Sequence, residues 1–373
     1  MATDTQSITI PAGLLPADGR FGSGPSRVRQ SALDALVASG ASFMGTSHRR
    51  PGVRQVVGRL RDGLASMYAL DDEYEVVLGN GGATAFWDAA GFGLIERASQ
   101  HLSFGEFSSK FAKAVSGAPH LDEPMVIEVG PGSHPEPEPT RGIDLYALTH
   151  NETSTGVTMP VKRVAGGLTV VDATSAAGGI PVDPGEFDVY YFSPQKAFGG
   201  DGGLFVAMCS PAAVERIERI AASDRWIPPF LSLSSALDKS RKNQTYNTPA
   251  LASIFLLTDT IEWINERGGM SFSTDRCAAN AQALYSWADA HEVAEPFVAD
   301  PAIRSQVTAT IDFDSSVSAD DLAATLRVNG ILDTESYRKL GRNQLRIGLW
   351  PAIPTSDIDA LTRCVDYLIE AVS

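Results

Sequence analysis

Cysteine is scarce in this 373-residue chain: Cys209, Cys277 and Cys364 stand far apart, with no CxxC pair. That argues against a disulfide framework or a structural zinc site, and it suits a reducing cytoplasm. Basic residues are outnumbered too, Lys+Arg 30 against Asp+Glu 45, for a formal net charge of -15. A broad nucleic-acid or anionic-membrane surface is therefore not expected, and any anionic substrate needs a local basic cluster. No apolar run approaches the roughly 20 residues of a bilayer-spanning helix. The opening MATDTQSITIPAGLLPADGR has no basic start followed by an apolar stretch, so no signal peptide is expected. Neither GxGxxG nor a P-loop occurs, which disfavours a dinucleotide or nucleoside-triphosphate site, and there are no internal repeats. What remains is a soluble, cytoplasmic globular protein, long enough for two unequal domains.

Buried-strand runs alternate with helical spacing through the first two thirds of the chain. Residues 74–78 (YEVVL), 126–129, 143–148 (IDLYAL), 168–172 (LTVVD), 189–192 and 204–208 read as strands, and 83–95 as a helix. Such alternation predicts an α/β fold with a mainly parallel sheet covered by helices. The Pro-rich stretch 130–140 (GPGSHPEPEPT) reads as a surface loop. A helix starting near Pro249 stops at Gly268-Gly269, and there the expected boundary falls. Residues 22–268 form the large domain and 269–373 a smaller α+β domain, against which segment 1–21 is expected to pack. The small domain should hold a helix capped by Ser318-x-x-Asp321, strands near 307–313 and 344–349, and a last amphipathic helix.

The strongest chemical feature is VVDATSAAGG followed by FDVYYFSPQKAFGG. One strand ends in Asp172 and the next just before Ser193-Pro194-Gln195-Lys196. In open α/β sheets, ligands sit beyond the carboxyl ends of strands, so Asp172 and Lys196 face one crevice if the strands are neighbours. A carboxylate there can keep a pyridinium nitrogen protonated, and a desolvated lysine can form an imine. Taken singly, a strand-end Asp is usually a cap and a lone Lys usually solvated; the pairing within glycine-rich loops is what carries the reading. A second feature, residues 79–86 (GNGGATAF), follows a strand and opens a helix, a place where free backbone N–H groups take a phosphate.

Together these motifs carry a resemblance to a known family. FGSGPSRV, GTSHRRPGVRQV, LGNGGATAF, THNETSTGV, VVDATSAAGG, YFSPQKAFGG and TYNTPA run in the order found in phosphoserine aminotransferases, class V, fold-type-I enzymes dependent on pyridoxal 5'-phosphate. The resemblance implies that Lys196 makes the Schiff base and Asp172 contacts the pyridine nitrogen. It gives Thr153 a hydrogen bond to the ring, Phe107 a stacking role where many relatives have Trp, and the phosphate to Gly82, Ala83, Thr84 and Gln195. Asn247 and Thr248 would reach the cofactor of a neighbouring subunit, in a homodimer with shared active sites.

For the substrate, the resemblance maps His48 and Arg49 onto the pair that binds acidic groups, and Arg346 onto a later arginine. A second His-Arg pair of the family has no clean counterpart here; Arg338 and Arg342 are the candidates. The implied reaction moves the amino group of L-glutamate to 3-phosphohydroxypyruvate, giving O-phospho-L-serine and 2-oxoglutarate in serine biosynthesis, with ping-pong kinetics. Another acceptor remains open, either the keto acid of the 4-phosphohydroxythreonine pathway in pyridoxine biosynthesis or one of the alanine–glyoxylate type. A cysteine desulfurase is disfavoured because no cysteine lies on a loop suited to a nucleophile.

Overall fold

The computed structural model describes residues 8–372. Its centre is a seven-stranded sheet in the order β1-β9-β8-β7-β4-β2-β3. The strands are β1 (Glu75–Asn80), β2 (Ser99–Ser103), β3 (Met125–Glu128), β4 (Leu145–Thr149), β7 (Leu168–Asp172), β8 (Val189–Phe192) and β9 (Leu204–Cys209), with a two-stranded ribbon of β5 (Asn151–Glu152) and β6 (Val157–Thr158) beside them. β4, β7 and β8 are buried along their whole length, as parallel strands covered on both faces must be. Successive side chains alternate between the covering layers: Tyr190 and Phe192 pack with one apolar cluster, Val189 and Tyr191 with the other.

Helices cover both faces. α3 (Gly82–Gly93), α4 (Ser108–Val115), α5 (Pro211–Ala221) and α6 (Leu233–Ser240) contribute to one layer; α2 (Pro51–Met67) and α7 (Leu251–Asn265) contribute to the other. α1 (Gln30–Ser39) packs beside α7. Helix starts follow local chemistry: Pro51 and Pro211 occupy first-turn positions, and the Ser210 hydroxyl accepts from the amide of Ala213.

Not every ladder is parallel. β9 runs antiparallel to both of its neighbours, β1 and β8. Two reversals restore the original sense, so β1 runs with β8, β7 and β4, and their carboxyl ends share one edge. β2 (SQHLS) carries no apolar signature, and its burial rests on hydrogen bonds inside the protein, although His101 Nδ1 is left without a partner among the described residues. Ser99 Oγ lies 2.9 Å from His101 Nε2, and the Gln100 amide exchanges hydrogen bonds with the backbone of Glu138. The Pro-rich stretch thus gives a buried glutamine its partners.

A three-stranded antiparallel sheet of β10 (Ala294–Pro296), β11 (Thr308–Phe313) and β12 (Gln344–Gly348) packs with α8 (Met270–Ala290), α9 (Ala319–Val328) and α10 (Thr355–Val372). The Ser318 hydroxyl accepts from the amide of Asp321 at 3.2 Å, which caps α9. Residues 8–21 lie against this region: Ile10 N donates to Asn329, Ala17 N to Asp357 and Leu332 N to the Gly19 carbonyl. The first seven residues of segment 1–21 lie outside the described residues.

Candidate active site

The shared edge of β1, β4, β7 and β8 opens into a cavity of about 420 Å³ whose lining includes Gly82, Ala83, Thr84, Phe107, Thr153, Asp172, Gln195 and Lys196. The structure therefore brings together eight of the expected residues from five separate chain segments. α3 starts at Gly82 straight after β1, so its first backbone amides, which have no acceptor within the helix, point into the space.

Asp172 ends β7 and is buried. Its Oδ1 accepts from the amide of Thr174 at 2.9 Å and its Oδ2 from the Tyr191 hydroxyl at 3.2 Å. Burial pushes this carboxyl above its usual range, and the hydrogen bonds from Thr174 and Tyr191 oppose that rise. A carboxylate desolvated in this way is relieved by a cation placed against it, which a protonated ring nitrogen supplies.

Lys196 follows β8 and is also buried; its Nζ donates to the Ser23 carbonyl at 2.6 Å. Burial, helped by the Arg346 charge, lowers this amine to about 7, against the pull of Glu152 and Asp172. An amine so shifted has a large unprotonated fraction at neutral pH and is competent as a nucleophile and a base. Gly24, next to Ser23, has φ +130, and a Cβ there would lie 2.4–2.5 Å from Lys196 Cδ, Cε and Nζ. The FGSGPSRV motif thus has a physical reason for its second glycine: the lysine side chain occupies the space.

Phe107 stands over the cavity with Lys196 Nζ 5.7 Å from its ring centroid and Lys110 Nζ at 4.6 Å. Thr153 is buried, and its carbonyl accepts from Arg346 at 3.4 Å. Arg346 lies over the Tyr337 ring at 5.3 Å, and burial pulls its guanidinium below the usual value. No ion pair to it is found among the described residues.

Other expected residues lie elsewhere. Arg342 is not brought to the cavity: its guanidinium pairs with Asp312, stacks on Phe297 at 4.6 Å and faces a separate cavity. Arg338 is exposed. His48 is buried with Nε2 unpartnered, while Arg49 is exposed beside it, and neither lines the cavity. Asn247 and Thr248 are on the surface, with Asn247 bonded to Asn80. Sequence reasoning gave no role to Ser23, Gly24, Trp87, Lys110, Glu152, Thr174 or Tyr191. Gly24 and Glu152 stand within the FGSGPSRV and THNETSTGV motifs, and Tyr191 reads from sequence as one more strand aromatic.

The cavity also contains polar atoms that nothing in the chain satisfies: Thr174 Oγ1 and Gln195 Oε1 are buried without a partner. Buried orphans facing a cavity mark a ligand's place. The space, the phosphate-ready helix start and the Lys–Asp pair suit a phosphorylated pyridine aldehyde.

The family model for class-V aminotransferases matches residues 139–334. A phosphoserine aminotransferase of Nocardioides sp. is 55% identical over 371 residues, covering 98% of this chain and 99% of that protein. The chain belongs to the phosphoserine aminotransferase family. It is a pyridoxal-phosphate-dependent aminotransferase, and the residues around the cavity fit that cofactor. The fold recurs in a phosphoserine aminotransferase from Cytophaga hutchinsonii, with TM-score 0.86 at 23% identity over 94% of this chain and 99% of that one. It recurs again in pyridoxamine-pyruvate aminotransferase from Mesorhizobium loti, with TM-score 0.82 at 19% identity, covering 98% and 95%. At that distance the likeness is one of fold, and different acceptors share it.

Proposed function

We propose that this enzyme transfers the amino group of L-glutamate to 3-phosphohydroxypyruvate, giving O-phospho-L-serine and 2-oxoglutarate. The observation that carries the reading is the Arg346 guanidinium: desolvated, without a carboxylate partner among the described residues, and beside the cavity that holds Lys196 and Asp172. A buried fork of that kind suits a substrate carboxylate.

Bound pyridoxal phosphate supplies an electron sink for the substrate's α-carbon and a carrier for its amino group. The first amides of α3, at Gly82, Ala83 and Thr84, would hold its phosphate together with Gln195. Asp172 would hold the ring nitrogen, Thr153 a ring substituent and Phe107 one face. Lys196 Nζ would hold the cofactor's aldehyde carbon in the resting enzyme and, as a free amine, would take the α-proton of the bound amino acid and keep it within the site for return. In the cofactor-free chain burial already lowers this amine to about 7, which favours the unprotonated form a base needs. His48, Arg49, Asn247 and Thr248 do not line the cavity of their own chain, and they would complete the site of a second subunit in a cytoplasmic homodimer. The division into domains at 268/269 belongs to this reading as well; glutamate and the keto acid would enter between them.

The test is spectroscopic. Glutamate alone should shift the visible band of the bound cofactor to shorter wavelength, and 3-phosphohydroxypyruvate should restore it where pyruvate and glyoxylate do not. A band that ignores glutamate would overturn the donor. Restoration by pyruvate or glyoxylate would overturn the acceptor.

A further inference from the structure

Glu152 is fully buried, yet no cation pairs with it among the described residues. A carboxylate in such a place survives only if donors replace its lost water. Four do. Oε2 accepts from the amides of Ser108 at 2.7 Å and Phe107 at 3.1 Å. Oε1 accepts from the Ser154 hydroxyl at 2.7 Å and the Ser154 amide at 3.1 Å, with a longer contact to Phe107 N at 3.3 Å. The donors come from two places: the segment that carries Phe107 into the first turn of α4, and the segment just after β5 that carries Thr153.

The surrounding chain is shaped to this side chain. Gly105 passes so close that a Cβ on it would lie 2.4 Å from Glu152 Cγ and 2.8 Å from Ser154 Oγ. Ser154 Oγ, having donated to Glu152, accepts from the amide of Glu106 at 3.1 Å, which ties the two segments a second time. At α4 the carboxylate also meets the unsatisfied amides and positive end of a helix.

We infer that Glu152 is the positioning residue that sets Phe107, over the cofactor's face, at a fixed distance from Thr153, at its edge. Glu152 does not line the cavity, so it acts through these two neighbours. The inference rests on the cofactor contacts proposed above for Phe107 and Thr153. Both segments are anchored to one carboxylate, so a change in that carboxylate displaces the stacking ring and the ring's hydrogen-bond partner together.

Glu152→Gln keeps size and shape but places an NH2 group among donors, where one oxygen had accepted from two of them. The experiment measures the dissociation constant for pyridoxal phosphate and the visible circular dichroism per bound cofactor. The latter exists only because a fixed site orients an achiral ring. For E152Q we expect affinity to fall about tenfold or more, the scale on which partners of ligating groups act, with a weakened or altered visible signal per bound cofactor. Merely structural damage would lower the melting temperature and leave both readouts at wild-type values, and that result overturns the inference. If E152Q does not fold, Ser154→Ala decides: it removes one donor and leaves three. A loss of affinity of about threefold, with a changed visible signal, supports the role; wild-type values overturn it. Wild-type protein that shows no visible band after addition of pyridoxal phosphate would instead sink the cofactor contacts themselves, an outcome seen without any variant.

Discussion

The Trp87 indole donates to the Tyr191 hydroxyl at 2.9 Å, and that hydroxyl lies 3.2 Å from Oδ2 of Asp172. An oxygen already accepting from an indole has its own proton free to donate, and the only direction described for it is the carboxylate. Burial and the Asp172 charge push the Tyr191 phenol well above its usual value, so it stays protonated. The pair therefore holds Asp172 as an acceptor, the state a ring nitrogen needs. Tyr191→Phe is expected to cut kcat about tenfold or more, since a hydrogen bond to a charged group is worth roughly 1.5–3 kcal/mol. Trp87→Phe should cost less, because the hydroxyl can still turn toward Asp172. Steady-state kinetics on both variants check this; an unchanged kcat in Y191F removes the tyrosine from that role.

Lys196→Ala removes the side chain proposed as both nucleophile and proton carrier. Turnover is expected to fall by at least about a thousandfold, given what a positioned base alone contributes. The variant should still bind pyridoxal phosphate through the α3 amides, which equilibrium dialysis can measure. Normal turnover would end the assignment of Lys196.

The lysine also makes a pH prediction for the cofactor-free protein. Its folded value of about 7 lies below the ordinary 10.5. Between those values the unfolded chain holds a proton that the folded chain lacks, so stability rises with pH across that window, by at most about 1.4 kcal/mol per pH unit. Below pH 7 both states are protonated and the cost of burying the charge is present in full. Urea melts of wild type and Lys196→Met from pH 7 to pH 9 isolate the effect. The difference in stability should move in favour of wild type as pH rises, and a constant difference would contradict the shift.

Gly24→Ala puts a methyl group into the lysine's space at a backbone angle that disfavours any Cβ. The expected result is a folded enzyme whose lysine no longer reaches its place. Far-UV circular dichroism should be normal, and the visible band of lysine-bound cofactor weak or missing. A normal band would mean the loop yields more easily than its contacts imply.

Arg346→Lys keeps the charge and loses the planar fork. If the guanidinium receives the substrate's carboxylate, kcat/KM for glutamate should drop roughly a hundredfold, within the range for breaking a buried charged contact. The replacement should leave cofactor affinity within a factor of a few. An unchanged kcat/KM would remove Arg346 from the substrate site.

The parts of the fold that could be read in advance are those whose burial is apolar. LTVVD and VYYF announce strands covered on both faces, and Asp172 and Lys196 follow because a residue at such a strand's end has one edge to face. β2 was hidden because its burial rests on hydrogen bonds of Ser99, Gln100 and His101, which periodicity does not register. The reversal of β9 was hidden because a buried strand reads alike in both directions. Arg342 and Arg346 sit four residues apart in one basic stretch. The position of Asp312 on the adjoining β11 separates a neutralised guanidinium from one without an ion pair among the described residues. The part played by Glu152 is hidden in THNETSTGV because its partners are mostly main-chain amides, and amides carry no residue-specific signal.

The ladder between β1 and β9 joins residues 75–80 to 204–209 and seats the glycine-rich turn after β1 beside the loop after Lys196. Pairings so distant in sequence carry a large loop-closure entropy and form slowly. The turn proposed to hold the phosphate and the lysine thus belong to different halves of the folding chain and meet only when β1 and β9 have paired. The cofactor can trap the finished sheet but cannot template it, so the growth of cofactor signal during refolding should lag the growth of secondary structure.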